Sequence, residues 1–152
     1  MGTNAPQINV GDKAPKFALI DQDGKIVRLH DYRGSNVVLF FYPRNHTPGC
    51  TREACGFRDQ YAAFQETDTI VIGISEDSPD SHLSFARRYQ LPYRLLSDGN
   101  REVATSYGVR RFLGILSQRV TFVIDRTGVV RNIFSSHFQL YRHISESLAN
   151  LE

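Results

Sequence analysis

Val37-Val38-Leu39-Phe40-Phe41-Tyr42 is an unbroken apolar, β-rich run, the pattern of a strand buried on both faces. After Pro48 the period changes. Cys50, Ala54, Phe57, Tyr61 and Phe64 recur at steps of four, three, four and three, which places them on one face of a helix predicted from Pro48 to about Glu66. Thr69 to Ser75 is a second buried strand, and strand, helix, strand at this spacing is a parallel crossover unit. Before it, Phe17 to Ile20 and Ile26 to Leu29 read as a hairpin turning through Asp21-Gln22-Asp23-Gly24. After it come a helix opened by Ser78-Pro79 and running to about Tyr89, a short strand from Pro92 to Leu96, and a short helix from Glu102 to Tyr107 ended by Gly108. A hairpin follows, Gln118 to Asp125 and Val129 to Phe134 joined by Arg126-Thr127-Gly128, and a last helix from about Phe138 to Leu151. The sum is a single α/β domain over residues 1–152, three layers around a central mixed sheet.

In such sheets, sites form at the carboxyl ends of strands. Tyr42 ends one there, and eight residues later Cys50 opens the buried stripe of the next helix. Thr47 before Pro48 reads as an N-cap followed by proline at the first helical position. Cys50 therefore falls in the first turn, where unpaired backbone N–H groups and the positive end of the helix dipole favour a thiolate over a thiol. A free thiol of pKa ~8.5 is only about 3% ionised at pH 7. Even so, a lowered pKa is a modest gain, because a less basic thiolate is a weaker nucleophile and the leaving group must also be stabilised.

Composition narrows the partners. The 152 residues are 41% hydrophobic, enough for one core, and 18 basic against 16 acidic residues give a net charge of +2 without any basic block. Nucleic acid and membrane surfaces are not expected partners. No apolar run approaches the roughly 18 residues of a spanning helix, and Met1-Gly2-Thr3-Asn4-Ala5-Pro6 lacks the regions of a signal peptide. Two cysteines five apart are not a secreted disulfide framework, so a reducing compartment with redox-active thiols is expected, cytoplasmic in a bacterium or the stroma of a plastid. No zinc-ligand spacing occurs, and neither a metal nor a cofactor is expected. His30, His46, His82, His137 and His143 read as surface residues. His46 alone could pair with Cys50 in a cysteine hydrolase, but no glycine-rich oxyanion motif supports acyl transfer.

Cys55 separates redox chemistry from other thiol chemistry. On an ideal helix five residues rise ~7.5 Å and turn ~140°, which puts the Cα atoms about 8.6 Å apart. A disulfide needs less than ~7 Å. Either Cys55 is structural, or the first turns of the helix unwind when the two cysteines join.

Pro43-x3-Thr47-x2-Cys50 resembles the active-site signature of the peroxiredoxins, and Thr47-Pro48-Gly49-Cys50-Thr51-x3-Cys55 resembles their bacterioferritin-comigratory-protein or Q-type branch. Phe40 to Pro43, Val71 to Ser75, Leu91 to Tyr93, Leu95 to Asp98, Tyr107 to Val109 and Arg119 to Asp125 continue the likeness in family order. The resemblance implies a thioredoxin-like fold, working as a monomer, and reduction of hydroperoxides with electrons from thioredoxin or a similar dithiol. Cys50 matches the peroxidatic cysteine, Thr47 the hydroxyl that positions the peroxide, and Pro43 the residue that shields the thiolate. Arg119 matches the arginine that holds the thiolate and the developing oxyanion, and Glu53 the residue that orients it. Without the family, Arg119 would be a surface arginine at the start of a strand, and Glu53 an exposed first-turn glutamate. Cys55 matches the resolving position of part of the branch. Arg110 to Leu116 departs most from the family pattern. A general dithiol-disulfide oxidoreductase and a redox-sensing module remain alternatives.

Overall fold

Every residue of the strand Asn36–Phe41 is buried, and the fold is built outward from it. The computed structural model describes residues 8–112 and 116–151; Met1 to Gln7, Leu113 to Ile115 and Glu152 lie outside the described residues. The elements are β1 (Ala18–Asp21), β2 (Ile26–Arg28), β3 (Asn36–Phe41), α1 (Pro48–Asp59), α2 (Tyr61–Glu66), β4 (Thr69–Ser75) and α3 (Pro79–Tyr89). They continue with β5 (Arg94–Ser97), α4 (Glu102–Ser106), β6 (Arg111–Phe112), β7 (Leu116–Ser117), β8 (Val120–Ile124), β9 (Val130–Ser135) and α5 (Leu140–Ala149). Seven strands form one sheet in the order β2-β1-β5-β4-β3-β8-β9. β3 pairs parallel with β4 and antiparallel with β8, so the sheet is mixed, as expected.

Because side chains alternate along a strand, β3 supplies two cores. Val38 and Phe40, with Tyr42 just beyond, face one side and pack with Cys50, Ala54, Phe57, Phe64, Phe85 and Ile144 of the helices. Val37, Leu39 and Phe41 face the other, with Ile72, Ile74, Tyr107 and Phe122. The first core is aromatic: the Phe40 ring stacks on Phe57 with centroids 4.5 Å apart. Gly73 on β4 makes room for it, since a Cβ there would stand 2.8 Å from Phe40 Cζ and 2.9 Å from Leu95 Cδ2. The second side is thinner than three full layers suggest. Short α4, the 3-10 turn Leu29–Tyr32 and chain near Ile8 and Ala14 supply its cover.

The helix expected to reach Glu66 in one piece is broken. Gln60 adopts φ −102°, ψ 12°, and Ala63 N–H reaches back three residues to Gln60 O instead of four, so α1 and α2 are separate. The small β6–β7 hairpin was not expected from the pattern, because two-residue strands carry no periodicity. α5 starts at Leu140, two residues late, because the Ser136 hydroxyl accepts from the N–H groups of Phe138 and Gln139 and holds a turn there.

The register fixes where chemistry can occur. Phe41 pairs with Ile74 on one side and Val120 on the other, so the carboxyl end of β3 meets the amino end of β8. Arg119, the residue before Val120, is thereby delivered to the junction from which α1 departs.

Candidate active site

Cys50 is the third residue of α1 and 1% exposed. Thr47 is the N-cap, at φ −89°, ψ 152°, with Pro48 next, and Thr51 N–H to Thr47 O at 2.9 Å starts the helix. The expected capping bond is absent. The Thr47 hydroxyl instead donates to Arg44 O at 2.9 Å, which leaves its oxygen lone pairs free to accept. The loop between β3 and α1 is pinned from below through buried Asn45. Tyr42 OH donates to Asn45 Oδ1 at 2.6 Å, Asn45 N–H reaches Asp77 Oδ2 at 2.9 Å, and Asn45 Nδ2 reaches His82 Nδ1 at 2.9 Å and Ser81 Oγ at 3.1 Å. His82 is not a surface residue: it is fully buried, and burial lowers its pKa. Its Nε2 lies 3.0 Å from Leu96 O, which can only accept, so Nε2 carries the hydrogen and Nδ1 accepts from Asn45. His46 is exposed, at φ +65°, with its ring edge-on to Phe85 at 5.1 Å.

Arg119 is 6% exposed, contrary to the ordinary expectation for its position. Its Nη1 donates to Cys50 Sγ at 3.4 Å and to Glu53 Oε1 at 2.7 Å. Gly49 permits this approach, since a Cβ there would stand 3.1 Å from Arg119 Nη2. Burial works against the guanidinium charge, but the carboxylate of Glu53 and the sulfur of Cys50 outweigh it and raise the Arg119 pKa. Glu53, three residues after Cys50, is completely buried, not exposed. Burial pushes its pKa up to about 7 against the opposing pull of Arg119. His143, expected on the surface, is also fully buried on α5. Its Nδ1 lies 2.8 Å from Thr121 Oγ1 and 3.4 Å from Glu53 Oε2, and its Nε2 lies 2.8 Å from Ser136 O. Burial lowers its pKa to about 4.

Cys55 is half-buried one turn further along α1 and is free, as Cys50 is. Burial raises its pKa, and Arg58 only partly opposes that. Around it α1 is held by Tyr93 OH donating to Ala54 O at 2.7 Å, and by a close approach at Gly56, whose ideal Cβ would stand 2.9 Å from Ile144 Cδ1. Pro43 is half-buried where β3 ends. Thr47, Cys50, Glu53 and Arg119 thus converge on one junction, with Pro43 at its edge and Cys55 set apart. Gly49, Thr121 and His143 were not among the expected site residues. His143 was legible in principle, because it shares the buried stripe of α5 with Ile144 and Ser147. Among the described residues, no three His, Cys, Asp or Glu side chains converge as a metal site.

Residues 10–133 match the AhpC/TSA family. The chain belongs to this family, the peroxiredoxins. Chloroplastic peroxiredoxin Q of Populus jackii is 45% identical over 147 residues, which cover 96% of this chain and 69% of that protein. That of Arabidopsis thaliana is 48% identical over 147 residues, 96% of this chain and 68% of that protein. Among solved structures, peroxidoxin BcpB of Mycobacterium tuberculosis superposes with a TM-score of 0.88 at 41% identity, covering 94% of this chain and 96% of that one. Peroxiredoxin Q of Xanthomonas campestris superposes at 0.81 with 26% identity, covering 88% and 87%. The fold is the thioredoxin-like fold of peroxiredoxins, on the Q-type branch, and the protein is a thiol peroxidase.

For a peroxiredoxin the junction has a plain chemical meaning. A buried sulfur at a helix start, within hydrogen-bond reach of a guanidinium, is an environment that holds negative charge. The same guanidinium can hold charge that develops on an oxygen beside the sulfur.

Proposed function

We propose that Cys50 is the peroxidatic cysteine of this peroxidase, that Cys55 resolves it, and that thioredoxin or a similar dithiol recycles it. The observation that supports this most is Arg119 Nη1 donating at once to Cys50 Sγ and Glu53 Oε1. The thiolate attacks the outer oxygen of the hydroperoxide, forming the S–O bond and breaking the O–O bond. The products are the Cys50 sulfenic acid and an alkoxide or hydroxide that takes up a proton. Arg119 steadies the leaving oxygen, and Thr47, with its hydrogen engaged by Arg44 O, accepts the peroxide O–H. Pro43 keeps water from the sulfur. Cys55 then attacks the sulfenic sulfur, water leaves, and a disulfide forms that the external dithiol reduces by exchange.

The disulfide step demands motion. An intact α1 holds the two Cα atoms about 8.6 Å apart, beyond disulfide reach, so its first two turns must unwind. The break at Gln60 confines that unwinding to α1, and helix ends lie at the low-stability end of a fold. The chloroplastic relatives fit a plastid setting and the Mycobacterium and Xanthomonas neighbours a bacterial one. The reaction is the same in either.

Peroxide consumption with Cys50→Ser tests the first claim: activity should vanish, because a serine hydroxyl is not ionised at neutral pH. Intact mass after one equivalent of peroxide tests the second. The oxidised monomer should be lighter by two hydrogens, a change reversed by dithiols, with faster amide exchange from Cys50 to Arg58. Cys55→Ser should reduce one equivalent and stall as a dimedone-reactive sulfenic acid when thioredoxin is the sole donor. Undiminished turnover without Cys55, or an intermolecular disulfide as the only product, removes Cys55 from the cycle.

A further inference from the structure

The direction of the Thr47 hydroxyl is decided by a group outside its own loop. By backbone Thr47 is an N-cap, so its oxygen has the option of accepting from Cys50 N–H, as Ser78 Oγ accepts from Ser81 N–H at the start of α3. It makes no such bond and donates to Arg44 O at 2.9 Å. A hydroxyl has one hydrogen; with that hydrogen on the carbonyl, both lone pairs of Oγ stay available to a peroxide O–H.

The Arg44 carbonyl is aimed by the other half of its own peptide group. The Arg44–Asn45 unit is planar and trans, so its C=O and the Asn45 N–H point in opposite directions and can only turn together. Asn45 N–H donates to Asp77 Oδ2 at 2.9 Å. The same oxygen accepts from Ser75 Oγ at 2.6 Å, and Ser75 Oγ in turn accepts from Asp77 N–H at 3.1 Å. Two donors on the two lone pairs of Oδ2, and one acceptor for each hydrogen, leave no member of this chain short of a partner. Asp77 therefore fixes the peptide plane on one side, and Thr47 reads its direction on the other.

The turn held in this way is strained. His46, between Asn45 and Thr47, sits at φ +65°, a left-handed conformation that turns ordinarily give to glycine. Such a residue persists only where its surroundings over-determine it, and they do so here through Asn45. Its Oδ1 accepts from Tyr42 OH, and its two amide hydrogens go to separate acceptors, Ser81 Oγ and His82 Nδ1.

We propose that Asp77, braced by Ser75 at the carboxyl end of β4, is a positioning residue for the peroxide step: by holding the Arg44–Asn45 peptide it keeps the Arg44 carbonyl on the Thr47 hydroxyl and the lone pairs of that hydroxyl turned to the peroxide. The proposal rests on the roles given above to Cys50 and Thr47. Asp77 touches neither the sulfur nor the substrate. Without it the peptide rotates, the carbonyl leaves the hydroxyl, and Thr47 turns onto the N–H groups of the helix start.

The test measures how fast the first equivalent of hydrogen peroxide converts Cys50 to a dimedone-reactive sulfenic acid, in the full chain carrying Cys55→Ser, so that neither resolution nor an external dithiol enters. Asp77→Ala should slow this step about fivefold, less than the roughly tenfold expected of Thr47→Val, because Asp77 acts only through that hydroxyl. Asp77→Asn keeps an oxygen acceptor and drops the charge; it should stay within about twofold of the parent. In a Thr47→Val background Asp77→Ala should cost nothing further. Iodoacetamide presents no peroxide O–H to Thr47, so the pH midpoint of Cys50 alkylation should stay within about 0.3 of a pH unit throughout. A loss that persists in Thr47→Val, Asp77→Asn as slow as Asp77→Ala, or a moved midpoint that accounts for the loss overturns the proposal. Asp77→Ala as fast as the parent, where Thr47→Val is slow, overturns it while leaving the role of Thr47 standing. Thr47→Val as fast as the parent removes that role and the proposal with it. Where Asp77→Ala does not fold, Ser75→Ala carries the test: about a twofold loss is expected that disappears in Thr47→Val, and equal losses in the two backgrounds, or none in either, overturn the proposal.

Discussion

Helices α1 and α3 begin with the same signal, Thr47-Pro48 and Ser78-Pro79, and each buries a titratable side chain within its first four residues, Cys50 and His82. In α3 the signal is used for stability. Ser78 Oγ accepts from Ser81 N–H at 3.2 Å, Asp80 places a carboxylate in the first turn, and His82 is kept neutral on the buried face. In α1 the Thr47 hydroxyl turns away to Arg44 O, and the first turn carries no acidic residue. Among the described residues no side chain caps the positive end of α1, and Arg119 adds a second positive group at Cys50. One local signal has been used once to close a helix end and once to hold one open for an anion.

The strongest way to break this contrast is to remove the cation. Arg119→Ala should slow peroxide reduction at pH 7 by about 100-fold or more, ~2.7 kcal/mol of transition-state stabilisation, and raise the alkylation midpoint of Cys50. An unchanged pH profile of alkylation would mean that the helix start alone holds the thiolate. Next comes Thr47→Val, which keeps the shape and removes the hydroxyl. Because that hydroxyl makes no capping bond, stability should change by less than about 0.5 kcal/mol, while the rate with peroxide falls about tenfold. Rescue by Thr47→Ser completes the test. A loss of stability with an intact rate would put Thr47 in the same class as Ser78.

What the sequence conveyed divides along the same line. Periodicity located the strands and helices, because burial of β3 on both faces and of the α1 stripe on one is written in the spacing of apolar residues. The site was legible only at Cys50 from chemistry alone, since a cysteine beside a proline at a helix start has a physical meaning. Arg119 and Glu53 came from family likeness, because nothing local to either residue announces that it is buried; their burial depends on β3 and β8 meeting at Phe41 and Val120. The turning of the Thr47 hydroxyl could not be read, because it depends on the loop that Asn45 anchors across 32 residues to Asp77. His82 and His143 were misplaced on the surface for a different reason. Their partners are backbone carbonyls and side chains remote in sequence, though their positions on the apolar stripes of α3 and α5 carried the signal.

A smaller effect separates the two helix starts from the other side. Ser78→Ala removes a cap bond that is made, so it should cost about 1 kcal/mol in denaturant unfolding and leave the rate with peroxide within about twofold of the original. Equal loss of stability from Ser78→Ala and Thr47→Val would show that both hydroxyls cap.

The last expected effect is a difference of sign in how the two regions respond to acid. His82 is held neutral by burial, with Nδ1 accepting from Asn45, so between its unfolded pKa of about 6.5 and its lower folded value the unfolded chain binds more protons. Stability therefore falls at this site as the pH drops below about 6.5. Glu53 behaves oppositely. Its folded pKa, raised to about 7, lies above the unfolded value of about 4.3, so the folded chain takes up the proton first and stability rises as the pH falls from about 7 toward 4.3. Between pH 7 and 5 the two contributions partly cancel in the intact protein, with His143 adding to the His82 side. Unfolding free energy measured at several pH values in that window should separate them. Glu53→Gln should make the loss on acidification steeper, by about 1 kcal/mol per pH unit, and His82→Gln should make it shallower by less. Slopes unchanged in Glu53→Gln would mean that Glu53 keeps the same charge in both states, and the contrast between a helix start that holds an anion and one that excludes a cation would lose its electrostatic basis.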